Sequence, residues 1–112
     1  MAPPGRLTRR AEFLRAAAKG CKAPMPGLVL QAVPRDDQEP ARLGFTVTRK
    51  IGNAVIRNRT RRRLKEAARL VLAERPLSGV DLVLVGRAAT RGRDFSALQA
   101  DLRRALAKAG LA

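Results

Sequence analysis

The chain of 112 residues contains no His, Trp or Tyr, and Cys21 is its one Cys. These absences exclude an internal disulfide, a Cys/His zinc site and any mechanism that needs an imidazole base. Acidic residues are also scarce, with 9 Asp and Glu against 24 Lys and Arg, so the formal net charge is +15. A folded domain with this imbalance repels itself unless it binds a polyanion, and nucleic acid is the most common one.

Long apolar runs are missing as well. No segment approaches 18 consecutive apolar residues, and the start of the chain, Met1 to Gly5, lacks the apolar region of a secretion signal. Both absences argue against a membrane span and against export. A single free Cys suits a reducing compartment. We therefore expect a cytoplasmic protein without a membrane partner.

Hydrophobic residues make up 46% of the chain, which is enough for a packed core in one domain over residues 1–112. Periodicity and turn residues predict helices and strands, in chain order, at about 8–19, 27–33, 42–48, 53–73, 80–85 and 96–109. Pro24 and Pro26 break the stretch after the first helix. The pattern of helix, two or three strands, helix, strand and helix predicts an α+β sandwich, in which helices cover a small sheet.

Local signals predict where these elements begin and how they are buried. Thr8 and Asn53 are expected N-caps, and Ser96 opens a capping box for the last helix. The nearly continuous apolar run from Val80 to Val85 predicts a central strand or one covered on both faces. The stripe expected to bury the last helix comprises Leu98, Leu102, Ala105 and Leu106.

The loop from Pro34 to Pro40 contains the one cluster of carboxylates, Asp36, Asp37 and Glu39. Its flanking prolines predict a solvated hairpin-type loop between two strands. A metal site is the alternative for such a cluster, because protein nucleases gather carboxylates around metal ions. We favour the solvated loop.

The segment 40–65 contains nine basic residues and no acidic one. On a helix, one narrow stripe comprises Ile56, Thr60, Leu64, Ala67 and Val71. The opposite face comprises Asn58, Arg59, Arg62, Lys65 and Arg69, flanked by Arg57 and Arg61. Arg63 lies at the edge of the buried stripe and is expected to extend its charge to solvent. A solvated face would mix Glu with Lys, and a membrane-surface helix would need a wider apolar face, so the pattern favours nucleic-acid binding.

Charge alone does not separate RNA from DNA. No turn-helix pair precedes the basic helix, which argues against a helix-turn-helix reader. The predicted strands lack the paired aromatics of an RNA-recognition sheet. Phe45 and Phe95 fit a core, whereas Phe13 fits either a core or a base-stacking position.

The run from Arg42 to Arg59 resembles the bacterial ribonuclease P protein family. Its pieces are Arg-Leu-Gly-Phe-Thr-Val-Thr, then Lys-Ile-Gly-Asn-Ala-Val, then Arg-Asn-Arg at the start of a basic helix. The segments 10–20, 81–87 and 95–106 resemble the family's first helix, last strand and final helix. The resemblance implies an αβββαβα fold with a left-handed βαβ crossover. It also implies the protein subunit of a ribozyme that removes the 5′ leader of precursor tRNA.

The same resemblance implies roles for individual residues. Catalytic groups and Mg²⁺ ions would belong mainly to the RNA and the substrate, with no catalytic or metal-binding residue in this chain. Contacts to the catalytic RNA are expected from Arg49, Lys50, Asn53, Arg57, Asn58, Arg59, Arg61, Arg62, Lys65 and Arg69. A cleft for the leader is expected from Phe13, Gln31, Thr46 and Thr48. Ala17 and Gln31 stand where the family often has aromatics, so leader stacking should be weaker.

Two other classes of function share this electrostatic character. One is a ribosomal protein or general RNA chaperone, which would have no leader cleft, and the other is a DNA-binding regulator. Steep salt dependence is expected for all of them, because each would neutralise phosphates. A preference for precursor over mature tRNA would separate the leading hypothesis from these two. We predict the catalytic RNA and precursor tRNA as partners, and no protein partner.

Overall fold

A computed structural model describes residues 4–111. Its five strands are Gly5–Arg6 (β1), Cys21–Pro24 (β2), Leu28–Pro34 (β3), Arg42–Thr46 (β4) and Val80–Gly86 (β5). Its three helices are Arg10–Lys19 (α1), Ala54–Glu74 (α2) and Phe95–Lys108 (α3). Short 3-10 turns occupy Arg49–Ile51 and Ala88–Thr90. The predicted α+β class and the αβββαβα order are confirmed, with the two-residue β1 as an addition.

The strands form one mixed sheet in the order β1-β4-β5-β3-β2. The central strand, β5, pairs in parallel with β4 and antiparallel with β3. Its residues 80–84 are all buried, as the continuous apolar run predicts for a strand covered on both faces. The β4–α2–β5 connection is a parallel βαβ unit, and the family resemblance implies a left-handed sense for it.

The segment between Pro34 and Pro40 is not a hairpin loop, so that prediction is wrong. The strands β3 and β4 that flank it are not paired with each other, because β5 lies between them. The segment instead crosses the start of β5: the Arg35 N–H donates to the carbonyl oxygen of Gly79, and Pro40 bridges to Ser78. Turn residues predict that the chain changes direction, but they do not predict that a later strand, β5, will lie between the two flanking strands.

Two predictions near α1 also need correction. Arg9, not Thr8, is the N-cap, and the Glu12 carboxylate accepts hydrogen bonds from the backbone N–H groups of both, at 3.0 and 3.2 Å. The segment that the prolines were expected to break contains β2, which ends at Pro24. Because β2 is an edge strand, the sheet loses no essential hydrogen bond through the missing N–H of Pro24.

The start of α3 differs from the prediction as well. Ser96 does not open a capping box, because Asp94 occupies the N-cap and its Oδ2 accepts from the Ala97 N–H at 3.2 Å. Asp is as good an N-cap as Ser, so composition alone could not choose between two candidates two residues apart. The buried stripe of α3 is confirmed, since all four of its predicted residues are buried.

Each face of the sheet has its own core. On one face, α2 and α3 cover the larger core, whose fully buried leucines are Leu28, Leu30, Leu64, Leu82, Leu84, Leu98 and Leu102. On the other face, α1 covers a smaller core of Leu7, Ala16, Val33 and Val83. The smaller core occupies only part of its face, which leaves the remaining part of the sheet accessible from that side.

A buried carboxylate ties α3 to the sheet. Asp101 has no exposed surface, and its Oδ2 accepts from the Gly27 backbone N–H at 3.0 Å, just before β3. Arg93 and Arg104 also donate to this carboxylate. Burial by itself would raise the pKa of Asp101, but the hydrogen bonds from the two guanidinium groups outweigh it, so the pKa lies below its ordinary value.

Candidate nucleic-acid interface

The turn that leads into α2 has the geometry that its sequence predicts. Gly52 has φ +152°, and a Cβ atom there would lie 2.9 Å from Cγ2 of Ile56, so only Gly fits. Asn53 is the N-cap, and its Oδ1 accepts from the Ile56 N–H at 3.0 Å. The predicted helix is confirmed from this cap to Glu74. The turn therefore sets the direction in which the basic helix leaves β4.

All the predicted RNA-contact residues lie on this turn and on the first five turns of α2. Those exposed to solvent are Arg49, Lys50, Asn53, Asn58, Arg59, Arg62, Lys65 and Arg69, while Arg57 and Arg61 are half-buried at the flanks. The opposite stripe is buried from Thr60 to Val71, and Ile56 is half-buried. We call the ten predicted residues the basic face. The structure thus presents one continuous cationic surface that points away from the core.

Neighbours within α2 engage only some of these side chains. Arg69 donates to the Glu66 carboxylate, with an Nε–Oε2 distance of 3.1 Å, and this hydrogen bonding lowers the pKa of Glu66. Arg61 donates to Oδ1 of Asn58 at 3.2 Å, so these two side chains contact each other within α2. Within residues 4–111, the head groups of Arg59, Arg62 and Lys65 form no such contacts, which leaves them free for a ligand.

A second candidate surface lies on the α1 side of the sheet, beyond the smaller core. The pairing registers align Thr46, Val85 and Val29 in one row across β4, β5 and β3, and Gln31 lies in the next row. All four side chains are half-buried. We call these four residues the open sheet face. With strands about 4.8 Å apart and rows about 6.7 Å apart along a strand, the Cα atoms of Thr46 and Gln31 lie about 12 Å apart across it.

Phe13 borders the open sheet face from α1. A Cβ atom at Gly44 would lie 2.5 Å from Cε1 of Phe13, so the ring lies directly above this glycine. Phe13 is half-buried and also packs against the smaller core. The structure therefore brings three predicted cleft residues, Phe13, Gln31 and Thr46, to one surface. Thr48 is exposed just beyond the end of β4.

An ion network that the sequence did not indicate anchors α1 beside this surface. Arg42 contacts the Glu12 carboxylate on α1 and the Asp81 carboxylate on β5, each at 2.8 Å. Arg35 also donates to Asp81, at 2.6 Å. Burial favours a higher pKa for Asp81, but hydrogen bonds from Arg42 and Arg35 outweigh it and lower the pKa. In the sequence, nothing distinguishes Arg42 from the other basic residues of the segment 40–65.

Arg63 is half-buried, and its guanidinium binds the loop between β5 and α3, so the prediction that its charge extends freely to solvent needs correction. Its Nε donates to the carbonyl oxygen of Thr90 at 3.1 Å, and its Nη2 donates to that of Arg93. Its guanidinium also lies over the Phe95 ring, 5.5 Å from the centroid. The loop between β5 and α3 offers free carbonyl groups at the point that Arg63 reaches, and these give the charge polar partners without full hydration.

One carboxylate of the Pro34–Pro40 segment, that of Asp37, stabilises the segment itself. Asp37 receives hydrogen bonds from the Arg35 guanidinium, which lower the pKa of Asp37. Among residues 4–111, no three Cys, Asp or Glu side chains are grouped as ligands for a metal ion. Over the same residues, no helix has the length and apolar character needed to cross a membrane.

Comparison with known sequences identifies relatives over nearly the full length. The model of the family described as Ribonuclease P matches residues 1–110. The ribonuclease P protein component of Gluconacetobacter diazotrophicus is 68% identical over 106 residues, which cover 95% of this chain and 91% of that protein. The corresponding protein of Paramagnetospirillum magneticum is 46% identical over 109 residues, which cover 94% and 82%.

Solved structures agree with this relationship. The ribonuclease P protein of Thermotoga maritima superposes with a TM-score of 0.77 at 27% identity, covering 92% of this chain and 96% of that one. The Staphylococcus aureus protein has a TM-score of 0.79 at 24% identity and covers 97% and 98%, which shows a shared fold. Because the family match spans residues 1–110 and the curated relatives align over most of their own length, this chain belongs to the ribonuclease P protein family.

Proposed function

We propose that this chain is the protein subunit of a ribonuclease P and acts in tRNA processing in the cytoplasm. In this proposal it binds the catalytic RNA through the basic face and the 5′ leader of precursor tRNA on the open sheet face. It thereby supports Mg²⁺-dependent removal of the leader. The catalytic groups belong to the RNA, and the Mg²⁺ ions are held mainly by the RNA and the substrate.

The observation that carries this proposal is the basic face itself. Like charges spaced three and four residues apart destabilise a helix by a few tenths of a kcal/mol per pair, and α2 accepts several such pairs. A phosphate backbone would remove this repulsion and release its own counterions. Arg57 adds to the argument, because its Nε is buried without an acceptor among the described residues. Its side chain would gain hydrogen bonds by turning outward to a phosphate.

The open sheet face suits a single strand of RNA. Phe13 offers one aromatic ring, and base–aromatic stacking contributes about 1–3 kcal/mol per base. Gln31 and Thr46, with Cα atoms about 12 Å apart, add polar groups that can reach base or sugar edges, and Thr48 extends the path. Ala17 on α1 and Gln31 on β3 stand where the family often has aromatic residues, so this surface has fewer rings on which bases can stack. We therefore expect a weak leader contact that helps discrimination without dominating affinity.

The deciding experiment is cleavage of a 5′-labelled precursor tRNA by a bacterial ribonuclease P RNA at low Mg²⁺, with and without this protein. We expect strong stimulation at the 5′ junction of the mature tRNA, and no cleavage by the protein alone. Tight RNA binding without stimulation would favour the chaperone alternative. Cleavage by the protein alone would mean that the chain has catalytic groups of its own.

Variants separate the two surfaces. Arg59→Ala and Arg62→Ala should weaken assembly with the catalytic RNA, whereas Arg75→Ala, at the far end of α2, is the control for loss of one exposed charge. Phe13→Leu keeps an apolar side chain above Gly44 but removes the ring, so it should reduce the preference for precursor over mature tRNA.

The matched control for Phe13 is Leu14→Ala, because Leu14 is 54% exposed on the outer side of α1. Equal discrimination by the Phe13 and Leu14 variants would remove Phe13 from the leader site. A wild-type protein that binds precursor and mature tRNA equally would instead argue against the whole leader surface, and would again favour the chaperone alternative.

A further inference from the structure

A groove of about 680 Å³ lies between α2 and the loop that leads into α3. Its volume falls within the range typical of small-ligand sites. The residues that line it are Arg59, Arg62, Arg63, Glu66, Arg91 and Phe95. Since Arg69 already engages the Glu66 carboxylate, the groove has a strongly positive character. Two of its residues, Arg59 and Arg62, belong to the basic face, whereas Arg63, Arg91 and Phe95 extend the surface beyond α2.

One wall of the groove is held in place by the fold. The Arg63 guanidinium is fixed by the carbonyl oxygens of Thr90 and Arg93 and by the ring of Phe95. These contacts also hold the loop against α2. Arg93, in turn, donates to the buried Asp101 carboxylate. The loop that presents Arg91 is therefore anchored on both sides, so the groove exists before any ligand arrives.

The free charges face this anchored wall. Arg59, Arg62 and Arg91 are exposed, and within residues 4–111 none of their guanidinium groups makes a hydrogen bond or ion pair. Three unpaired guanidinium groups around one groove repel each other in the free protein. An anion would offset this repulsion, and phosphate oxygens match the guanidinium in bidentate geometry.

We propose that this groove binds one unpaired nucleotide of the catalytic RNA, an inference that rests on the proposed function. Its phosphate would lie between Arg91 and the arginines of α2, and its base would pack against the Arg63–Phe95 pair. Arg planes and aromatic rings are the surfaces that unpaired bases use most. The groove lies among α2 and α3, whereas the open sheet face lies on the α1 side. For this reason we assign the nucleotide to the catalytic RNA and not to the leader.

The test measures equilibrium binding of a catalytic RNA transcript across a range of salt concentrations. Arg91→Ala should weaken binding about fivefold at low salt and reduce the log–log salt slope by about 0.7–0.9, the loss of one phosphate contact. Phe95→Leu should weaken binding about tenfold, within the range for loss of one stacking contact, with an unchanged slope. Arg75→Ala is the charge-matched control and should change affinity less than twofold.

Arg91 is exposed and outside the core, so its variant tests the groove even if Phe95→Leu proves unstable by circular dichroism. If Arg91→Ala behaves like Arg75→Ala while the wild-type protein binds tightly, the groove proposal is wrong and the proposed function stands. If Arg91→Ala spares RNA binding but lowers the preference for precursor tRNA, the assignment to the catalytic RNA is overturned. A wild-type protein that neither binds nor stimulates the catalytic RNA would instead defeat the proposed function.

Discussion

Replacing Asp101 by Ala should destabilise the protein more than the loss of an exposed ion pair would. The carboxylate is fully buried and accepts from the Gly27 N–H at 3.0 Å, and an orphaned buried donor costs about 1–3 kcal/mol. Arg93 is 27% exposed and can regain water, so its lost hydrogen bonds add about 1 kcal/mol. Arg104 is 60% exposed and adds little. We expect a loss of about 3 kcal/mol in the free energy of unfolding, a large share of the usual 5–15 kcal/mol.

Urea unfolding followed by circular dichroism would measure this loss, because the chain has no Trp or Tyr to report by fluorescence. Asp101→Asn keeps an acceptor for Gly27 and should cost about half as much. Arg104→Ala removes only the exposed partner and should cost less than about 1 kcal/mol. An Asp101→Ala variant as stable as Arg104→Ala would refute the view that this carboxylate ties α3 to the sheet.

Three further predictions concern other charges and caps. Asn53→Ala removes the acceptor of the Ile56 N–H and should lower the free energy of unfolding by about 1 kcal/mol in the same urea assay. Glu66→Gln removes the charged partner of Arg69 and frees its guanidinium for an RNA phosphate. The log–log salt slope of RNA binding should then steepen by about 0.7–0.9, and an unchanged slope would show that Arg69 contacts no phosphate. The Asp81 pKa is lowered in the folded state despite burial. The ionised carboxylate should therefore contribute its full share to the free energy of unfolding above about pH 5, and this share should fall toward pH 3 as the carboxylate is protonated. Asp81→Asn should flatten that decline in unfolding measured against pH.

Local patterns predicted the parts of the site that are built within one element. Asn53 caps α2 as expected, because the cap and the N–H that it satisfies are three residues apart. The basic face follows from helical spacing alone once one stripe is buried. The groove, by contrast, needed Arg91 and Phe95 beside α2, and nothing in the spacing of these residues indicates that proximity.

Arg63 shows why sites formed by residues from different elements are not predicted from the sequence. Its position at the edge of the buried stripe was identified correctly, yet the direction of its side chain depends on two carbonyl groups nearly thirty residues away. Arg42 is similar, since its partners Glu12 and Asp81 come from α1 and β5. In both cases the basic residue looks like surface charge until the distant acceptor is known.

By itself, the sequence determined the overall charge, the absence of His and of a disulfide, the helices with their buried stripes, and the motif from Arg42 to Arg59 that indicates the family. These properties depend on composition and on residues within a few positions of each other. Only the tertiary structure decided that β5 separates β3 from β4, that Phe13 borders the open sheet face, and that α3 closes a groove beside α2. The physical reason is that strand pairing, buried ion pairs and cavities join residues far apart in the chain, and local periodicity does not encode such contacts.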